Sequence, residues 1–482
     1  MDQFVHPLKN PVPEAVIARP IFNTDLEQIG VIRPRSVKEI PGSNWCLGCE
    51  TVDRDYTDYH AYMEYLTPLG IPVARLQSGW AKTEKQPGVY DWAWMDAIVD
   101  DLRQRGMRPW LETAYGNPIY PGAGGWNLGA GMPHSREGLA AYSRYVEALV
   151  LRYRDRVWDW EVWNEPNFGD NKLNSPEATA EFNILTGAII KKHQPEARIS
   201  CLALGHINID FVERFFRYLA ERDACGLFDN VTYHDYVYNP DANKLAVYRL
   251  RQIVEKYAPG MKLRQGENGA PSVGNAGGAL AEYPWTELSQ AKWDARRMLE
   301  NLGNDIQCSI FCIAEMQYDT SGPIKKPNVK GFLMTTRDLQ VIRPKVAYYT
   351  VQHITSIFDD TLERLPGVQK LFAVDQTDGD CFAMSTDRSL SVYGYQQKGS
   401  DKRVYTIWRD DSIPANEYPV SSLDFSFAGS HFSDPVVVDI ISGRVYALPA
   451  GRWERRDGLD VFHQIPVWDA PVLIAEKSLL AL

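Results

Sequence analysis

Between residues 41 and 360 the chain repeats one beat eight times: a short run of apolar and β-branched residues, then a longer amphipathic segment. The runs are Asn44 to Cys49, Pro72 to Gln77, Arg108 to Thr113, Val157 to Trp163, Arg198 to Leu204, Asn230 to His234, Lys262 to Gln265 and Gln307 to Ile313. Several intervening segments have readable ends. Trp94 to Arg105 stops at Gly106, and a helix opens at Ser175-Pro176-Glu177 and closes before Pro195. Ser289 to Leu302 stops at Gly303, and Pro344 to Phe358 follows the last run. Strand then helix, eight times over, predicts a (β/α)8 TIM barrel, an α/β fold whose active site is built where the strands end.

Past residue 360 the beat changes. Lys370 to Val374, Ser389 to Tyr395, Arg403 to Arg409, Val436 to Ile441 and Pro471 to Ile474 alternate apolar and polar residues between Gly-containing turns, with no helix between them. Residues 361–482 therefore read as an antiparallel β-sandwich accessory domain. Residues 1–40 are proline-rich and read as an extended arm able to lend that sandwich a strand. No long low-complexity linker separates the parts, so they are expected to pack firmly.

Acidic residues outnumber basic ones by 62 to 51, and no Lys/Arg-rich stripe follows one face, which argues against a nucleic-acid partner. No apolar run approaches the ~20 residues of a membrane span, and Met1 to Pro13 lacks the apolar core of a signal peptide. The expectation is a protein outside the membrane. It is cytoplasmic if Met1 is the native start, and periplasmic or secreted if a signal has been removed. Seven cysteines, an odd number, do not suggest a disulfide framework, and the C-x-x-C of Cys46 and Cys49 reads as buried strand thiols. No H-E-x-x-H occurs among nine scattered histidines, and Asp53, Asp55 and Asp58 lack the glycine and distal glutamate of a calcium loop. Those aspartates read as a solvated loop, and neither metal nor cofactor is expected.

Chemistry enters at the fourth run. Trp158 to Asn167 reads Trp-Asp-Trp-Glu-Val-Trp-Asn-Glu-Pro-Asn, and Pro166 forbids the ladder to continue, so Glu165 leaves the strand at the barrel mouth. Glu267 leaves the seventh run in Gln265-Gly-Glu-Asn-Gly-Ala-Pro271, opposite the fourth. Two carboxyls across a sugar-sized gap are the requirement of glycoside hydrolysis, and a separation of about 5–5.5 Å means retention through a covalent intermediate. In that scheme Glu165 enters protonated and Glu267 ionised. Arg75 and Tyr236 can hold Glu267, Arg75 being equally readable as a structural ion-pair residue, and Asn164 can meet the hydroxyl beside the reacting carbon. Glu50, Glu112 and Glu315 compete for these roles or pair with a buried arginine. Trp80, Trp126 and Trp285 fall in loops after strands two, three and seven, as sugar platforms or as core anchors. Long glycine-rich loops over 116–133 and 268–285 read as pocket walls, which favours exo-action on chain ends or small oligosaccharides.

These residues resemble clan A of the glycoside hydrolases. The likeness is carried by Trp163-Asn164-Glu165-Pro166, by His234 and Tyr236, by Glu267 and by Arg75. With Gly88-Val-Tyr-Asp-Trp-Ala-Trp94 and Glu161 to Asn167, the chain looks most like family 39, which includes β-xylosidases and α-L-iduronidases and attaches a β-sandwich to its barrel. The resemblance implies that Glu165 is the acid/base, Glu267 the nucleophile and Asn164 the 2-hydroxyl contact, with Tyr236 and Arg75 partners of the nucleophile. One departure stands out. Such barrels often close the sugar site with a tryptophan at strand eight, whereas here Phe311 to Tyr318 brings Glu315 and Gln317. That favours a differently substituted sugar over a routine xyloside, unless Tyr318 takes over the stacking. A carbohydrate-binding pseudoenzyme and a transglycosylase would share every residue named.

Overall fold

The computed structural model describes residues 24–168, 174–318, 327–366, 381–383 and 389–482. The strand expected at Lys370 to Val374 lies outside the described residues, as do residues 1–23 of the arm. Eight parallel strands form a closed barrel: Trp45–Gly48, Val73–Gln77, Arg108–Glu112, Asp159–Glu161, Arg198–Leu204, Asn230–Tyr233, Lys262–Gln265 and Gln307–Ile310. The first pairs with both the second and the eighth, which closes the ring.

Most helix boundaries follow local chemistry. Ser175 caps Pro176–His193 by accepting a hydrogen bond from the Ala178 N–H, and proline opens that helix where its missing N–H costs nothing. The seventh barrel helix, Glu287–Gly303, starts two residues before the sequence suggests, because Thr286 and Ser289 cap each other reciprocally. Strand four stops at Glu161, short of the expected Trp163, since Trp163 and Glu165 adopt left-handed backbone angles of φ 62° and 49° that a ladder cannot accept.

Within the barrel the lowest layer is apolar and the next is charged. Cys46, Val73 and Trp110 pack together, with the guanidinium carbons of Arg264 and Arg75 lying 4.1 and 5.4 Å from the Trp110 ring centre. Residues two apart on a strand share a face, so Arg75 and Gln77 both point inward, with Gln77 nearer the mouth.

Apart from two short hairpin-like pairs, Met316–Gln317 with Pro327–Asn328 and Leu333–Thr335 with Val341–Pro344, the remaining described strands form two antiparallel sheets. The larger runs in the order Gln28–Val31, Arg444–Ala447, Pro435–Asp439, Val472–Glu476, Arg403–Arg409, Leu390–Gln397 and Leu362–Arg364. The arm thus contributes its strand at the edge. The smaller sheet holds Cys381–Ala383, Ser421–Ala428, Leu459–Val467 and Trp453–Arg456, and Tyr405 of the larger sheet stacks on Phe427 of the smaller with centroids 3.7 Å apart. The joint to the barrel is polar as well as packed. Lys292 meets Asp469 at 2.7 Å with both side chains wholly buried. On the last barrel helix, Val346–Ile357, His353 donates its Nδ1 proton to the Ile440 carbonyl at 2.9 Å.

Candidate active site

Arg75 organises the barrel mouth. Its Nε donates to Glu161 at 2.8 Å, Nη1 to Glu50 at 2.8 Å and to Glu267 at 3.3 Å, and Nη2 to Asn164 at 3.1 Å while also pairing with Glu112. Strand two thereby ties the exits or inner faces of strands one, three, four and seven to one guanidinium. Burial pushes the Glu50 carboxyl up to about 7 and Glu112 well above the usual carboxylate range, although Arg75 pulls both the other way. Four carboxyls around one buried cation do not all ionise together at neutral pH.

Exposure separates the competing carboxyls. The side chains of Glu50, Glu112 and Glu161 are at most 1% exposed, whereas Glu165 and Glu267 keep 15% and 14%. Only those last two, within this cluster, can be reached by a ligand. Glu165 is set by a tight turn: its N–H donates to the Ala203 carbonyl at 2.8 Å, and Asn167 accepts from the Gly205 N–H at 2.9 Å. Its Oε1 lies 2.8 Å from His234 Nδ1. Glu267 accepts the Tyr236 hydroxyl proton at 2.8 Å on one oxygen and the Arg75 bond on the other. Burial pulls the His234 imidazole down, but Glu267 and the hydrogen-bonded Glu165 outweigh it and raise the group above its ordinary value. The half-buried Tyr236 is raised well above the usual phenol range by desolvation and by the Glu267 charge beside it, and so stays a donor.

Glu165, His234 and Glu267 each bring one ligand atom within 4.8 Å of the others, close enough in principle to hold a cation. The Arg75 guanidinium, 3.3 Å from Glu267 and 3.4 Å from His234 Nε2, already supplies positive charge there, so a metal ion would meet direct repulsion. The donor set suits a hydroxyl-bearing ligand better. A cavity of 1230 Å³ is lined by, among others, Arg108, Arg198, Lys262 and Gln307. These residues open their strands, so it lies at the amino-terminal end of the barrel, away from the face where this fold builds active sites.

No family model matches the chain. It is 24% identical over 174 residues to the aryl-phospho-beta-D-glucosidase BglH of Bacillus subtilis (strain 168), covering 30% of this chain and 36% of that protein. It is 24% identical over 206 residues to the 6-phospho-beta-glucosidase of Clostridium longisporum, covering 39% and 40%. The match thus spans less than half the length of either curated relative. Among solved structures, a family 39 glycoside hydrolase from the gut symbiont Bacteroides cellulosilyticus WH2 aligns with a TM-score of 0.61 at 16% identity, over 90% of this chain and 81% of its own. A monomeric beta-xylosidase from Caulobacter crescentus CB15 aligns at 0.58 and 17%, over 93% and 97%.

The chain shares its fold with glycoside hydrolases of family 39.

Within this fold the expected aromatic platforms part company. Trp80 is wholly buried: it stacks on Tyr120 and Tyr145, and its indole N–H donates to Glu84 at 2.5 Å, so no face is left for a sugar. Trp285 is buried too, its N–H fixed on the Leu280 carbonyl at 2.6 Å, and it anchors the loop that carries it. Trp126, in contrast, is exposed. At strand eight, Glu315 is a buried tie to Lys345 at 2.6 Å and to the Thr335 N–H at 3.0 Å, so its carboxylate is already engaged. Gln317 is half-buried and holds the Tyr56 carbonyl through its backbone. Tyr318 lies close enough to Glu267 that the charge helps burial raise its hydroxyl above the usual range. Asp53, expected in a solvated loop, is buried against Arg54 at 3.3 Å.

Sequence reasoning missed Glu161, which accepts from Arg75 and from the Thr232 hydroxyl at 2.5 Å, and Tyr115, whose hydroxyl accepts from Asn164 Nδ2 at 2.7 Å. For Glu161 a signal existed. A carboxyl in a wholly buried strand requires a partner, and its neighbour in register is Glu112.

Proposed function

We propose that the chain is a retaining glycoside hydrolase acting by double displacement, with Glu267 as nucleophile and Glu165 as acid/base. One observation carries this reading: in a cluster of otherwise sealed carboxyls, the two that remain accessible are Glu165 and Glu267, with one oxygen of each within 4.8 Å. That spacing fits direct attack by a carboxylate, since an inverting pair needs about 6.5–9.5 Å for the intervening water. Glu267, with both oxygens accepting hydrogen bonds, is oriented for attack on the anomeric carbon. Glu165 gives its proton to the departing oxygen and then draws one from water. Asn164, fixed between Arg75 and Tyr115, presents its amide to the 2-hydroxyl, a contact that strengthens as the oxocarbenium ion forms. The loops over 116–133 and 268–285 support exo-action on the ends of oligosaccharides or polysaccharides. The names of the similar proteins leave the sugar open between a pentose and a phosphorylated hexose.

Removal of the nucleophile decides the matter. Glu267→Gly is expected to abolish turnover of an activated aryl glycoside, and azide to restore it as the glycosyl azide of inverted configuration. Full activity without azide would sink the assignment. Glu165→Ala is expected to spare substrates with good leaving groups and to slow those that need protonation by roughly 10²–10⁴-fold; equal losses on both would remove its acid role.

A further inference from the structure

Two buried cations at the mouth have no task in the mechanism above. Arg54, in the turn after strand one, has a side chain only 1% exposed. Its Nε donates to Asp53 at 3.3 Å and its Nη2 to Gln77, while its Nη1 has no hydrogen-bond partner. Gln77 lies on the inner face of strand two, nearer the mouth than Arg75, so this guanidinium sits above the Arg75 cluster. It lies 4.9 Å from the Tyr115 ring centre, and Tyr115 is the residue that holds Asn164. The second cation comes from the neighbouring side of the ring, past strand eight. Lys330 is buried, its Nζ donates to the Ala279 carbonyl at 2.5 Å, and it lies 5.5 Å from the ring centre of Tyr236, the partner of Glu267. No carboxylate lies within ion-pair distance of it among the described residues. Burial pulls its ammonium down to about 8 even though Glu267 favours the charged form.

Tyr318 joins the two. Its ring meets Tyr56 edge-on at 5.7 Å, and Tyr56 borders Arg54 at 5.5 Å. Its hydroxyl accepts from Asn328, whose side-chain oxygen accepts the Lys330 backbone N–H. A buried ammonium without a counter-charge, and a buried guanidinium with a free N–H, are both expensive to maintain. A neutral sugar can give the Arg54 N–H an acceptor, since Asp53 already balances that charge, but it does not supply the counter-charge that Lys330 lacks. An anion does.

Resting on the glycosidase reading, we propose that the sugar held at Glu165 and Glu267 carries an anionic substituent, a carboxylate or a phosphate ester, received by Arg54 and Lys330. The two sources share the same chemistry, an oxyanion that accepts from a guanidinium and an ammonium. This also accounts for strand eight. The side of the mouth where a neutral sugar would stack on an indole is here lined by Tyr318 between two cations.

The test compares p-nitrophenyl glucoside, glucuronide and 6-phosphoglucoside in both anomeric forms, with the xyloside as a further neutral control. One charged member is expected to exceed the neutral glycosides by about a hundredfold in kcat/KM, and which one does so separates carboxylate from phosphate. Arg54→Met and Lys330→Met are expected to collapse that ratio, and Lys330→Arg to retain much of it. Neutral glycosides cleaved as fast as both charged ones by the unmodified protein would overturn the proposal and leave the hydrolase reading standing. If no glycoside is cleaved, the hydrolase reading fails, and calorimetric titration with glucuronate, glucose 6-phosphate and glucose decides the subsite. Tighter binding of a charged sugar supports it, and equal or absent binding of all three overturns it.

Discussion

Tyr236 makes a single hydrogen bond to Glu267, so its contribution can be isolated by removing one oxygen. Tyr236→Phe keeps the ring that faces Lys330 and deletes the donor. A hydrogen bond to a charged group contributes about 1.5–3 kcal/mol, so kcat/KM is expected to fall roughly tenfold to a hundredfold with little change in unfolding midpoint. An unchanged rate would mean that Arg75 alone holds the nucleophile. At this scale the sequence was most readable where backbone punctuation exposed a side chain. Pro166 after Glu165, and the glycines flanking Glu267, located both carboxyls. It was least readable where a side chain's direction decided the outcome. Nothing in the loop after strand two says that Trp80 turns inward onto Tyr145, and nothing after strand eight says that Lys330 is buried with no carboxylate beside it among the described residues. Both depend on how distant segments meet.

Strand exits set the site, and the exit of strand seven is held by a close backbone approach. A Cβ on Gly269 would stand 2.0 Å from the Phe311 carbonyl oxygen at the end of strand eight. Phe311 in turn donates its N–H to the Asn268 carbonyl at 2.7 Å. Gly269→Ala must therefore push these two exits apart and carry Glu267 with them. The expected destabilisation is about 1–3 kcal/mol by denaturant unfolding, and kcat falls by more than the loss of folded protein explains. Wild-type kcat in the folded fraction would show that the exit tolerates the displacement. All eight strands of the barrel were legible from hydrophobic runs, because strand length and glycine or proline boundaries are local properties. Their last residues were legible only in part: the runs ending at Gln77, Leu204 and Gln265 stop where the strands do, whereas the left-handed turn at Trp163 that shortens strand four goes with the hydrogen bonds of Glu165 and Asn167 to the end of strand five. The same holds for Arg444–Ala447 of the larger antiparallel sheet and Trp453–Arg456 of the smaller, which are short and whose limits depend on their pairing.

Barrel and sandwich meet across buried polar groups, and their joint responds to pH. Burial lowers the His353 imidazole to about 4, so between that value and the ordinary 6.5 the unfolded chain binds a proton that the folded chain refuses. Stability contributed by this group is intact above about pH 6.5 and is lost as pH falls through the window, by about 3 kcal/mol in all. Asp439 acts in the opposite sense: burial raises its carboxyl to about 6 from 3.8, so acid relieves it over nearly the same range. His353→Gln keeps a donor for the Ile440 carbonyl and removes only the first effect. The variant is expected to gain stability on the wild type as pH is lowered from 6.5 to 4, measured by urea unfolding at each pH. Parallel curves would show that His353 is not buried in solution. The joint has a further consequence through Lys292 and Asp469. Each is the other's counter-charge inside the contact, so a barrel of this kind joined to a foreign sandwich would enclose a lone ammonium, and the sandwich on a foreign barrel a lone carboxylate. The accessory sheets are for that reason no exchangeable cassette: a recombination breakpoint between the two halves is disfavoured, and the pair is expected to be inherited as a unit.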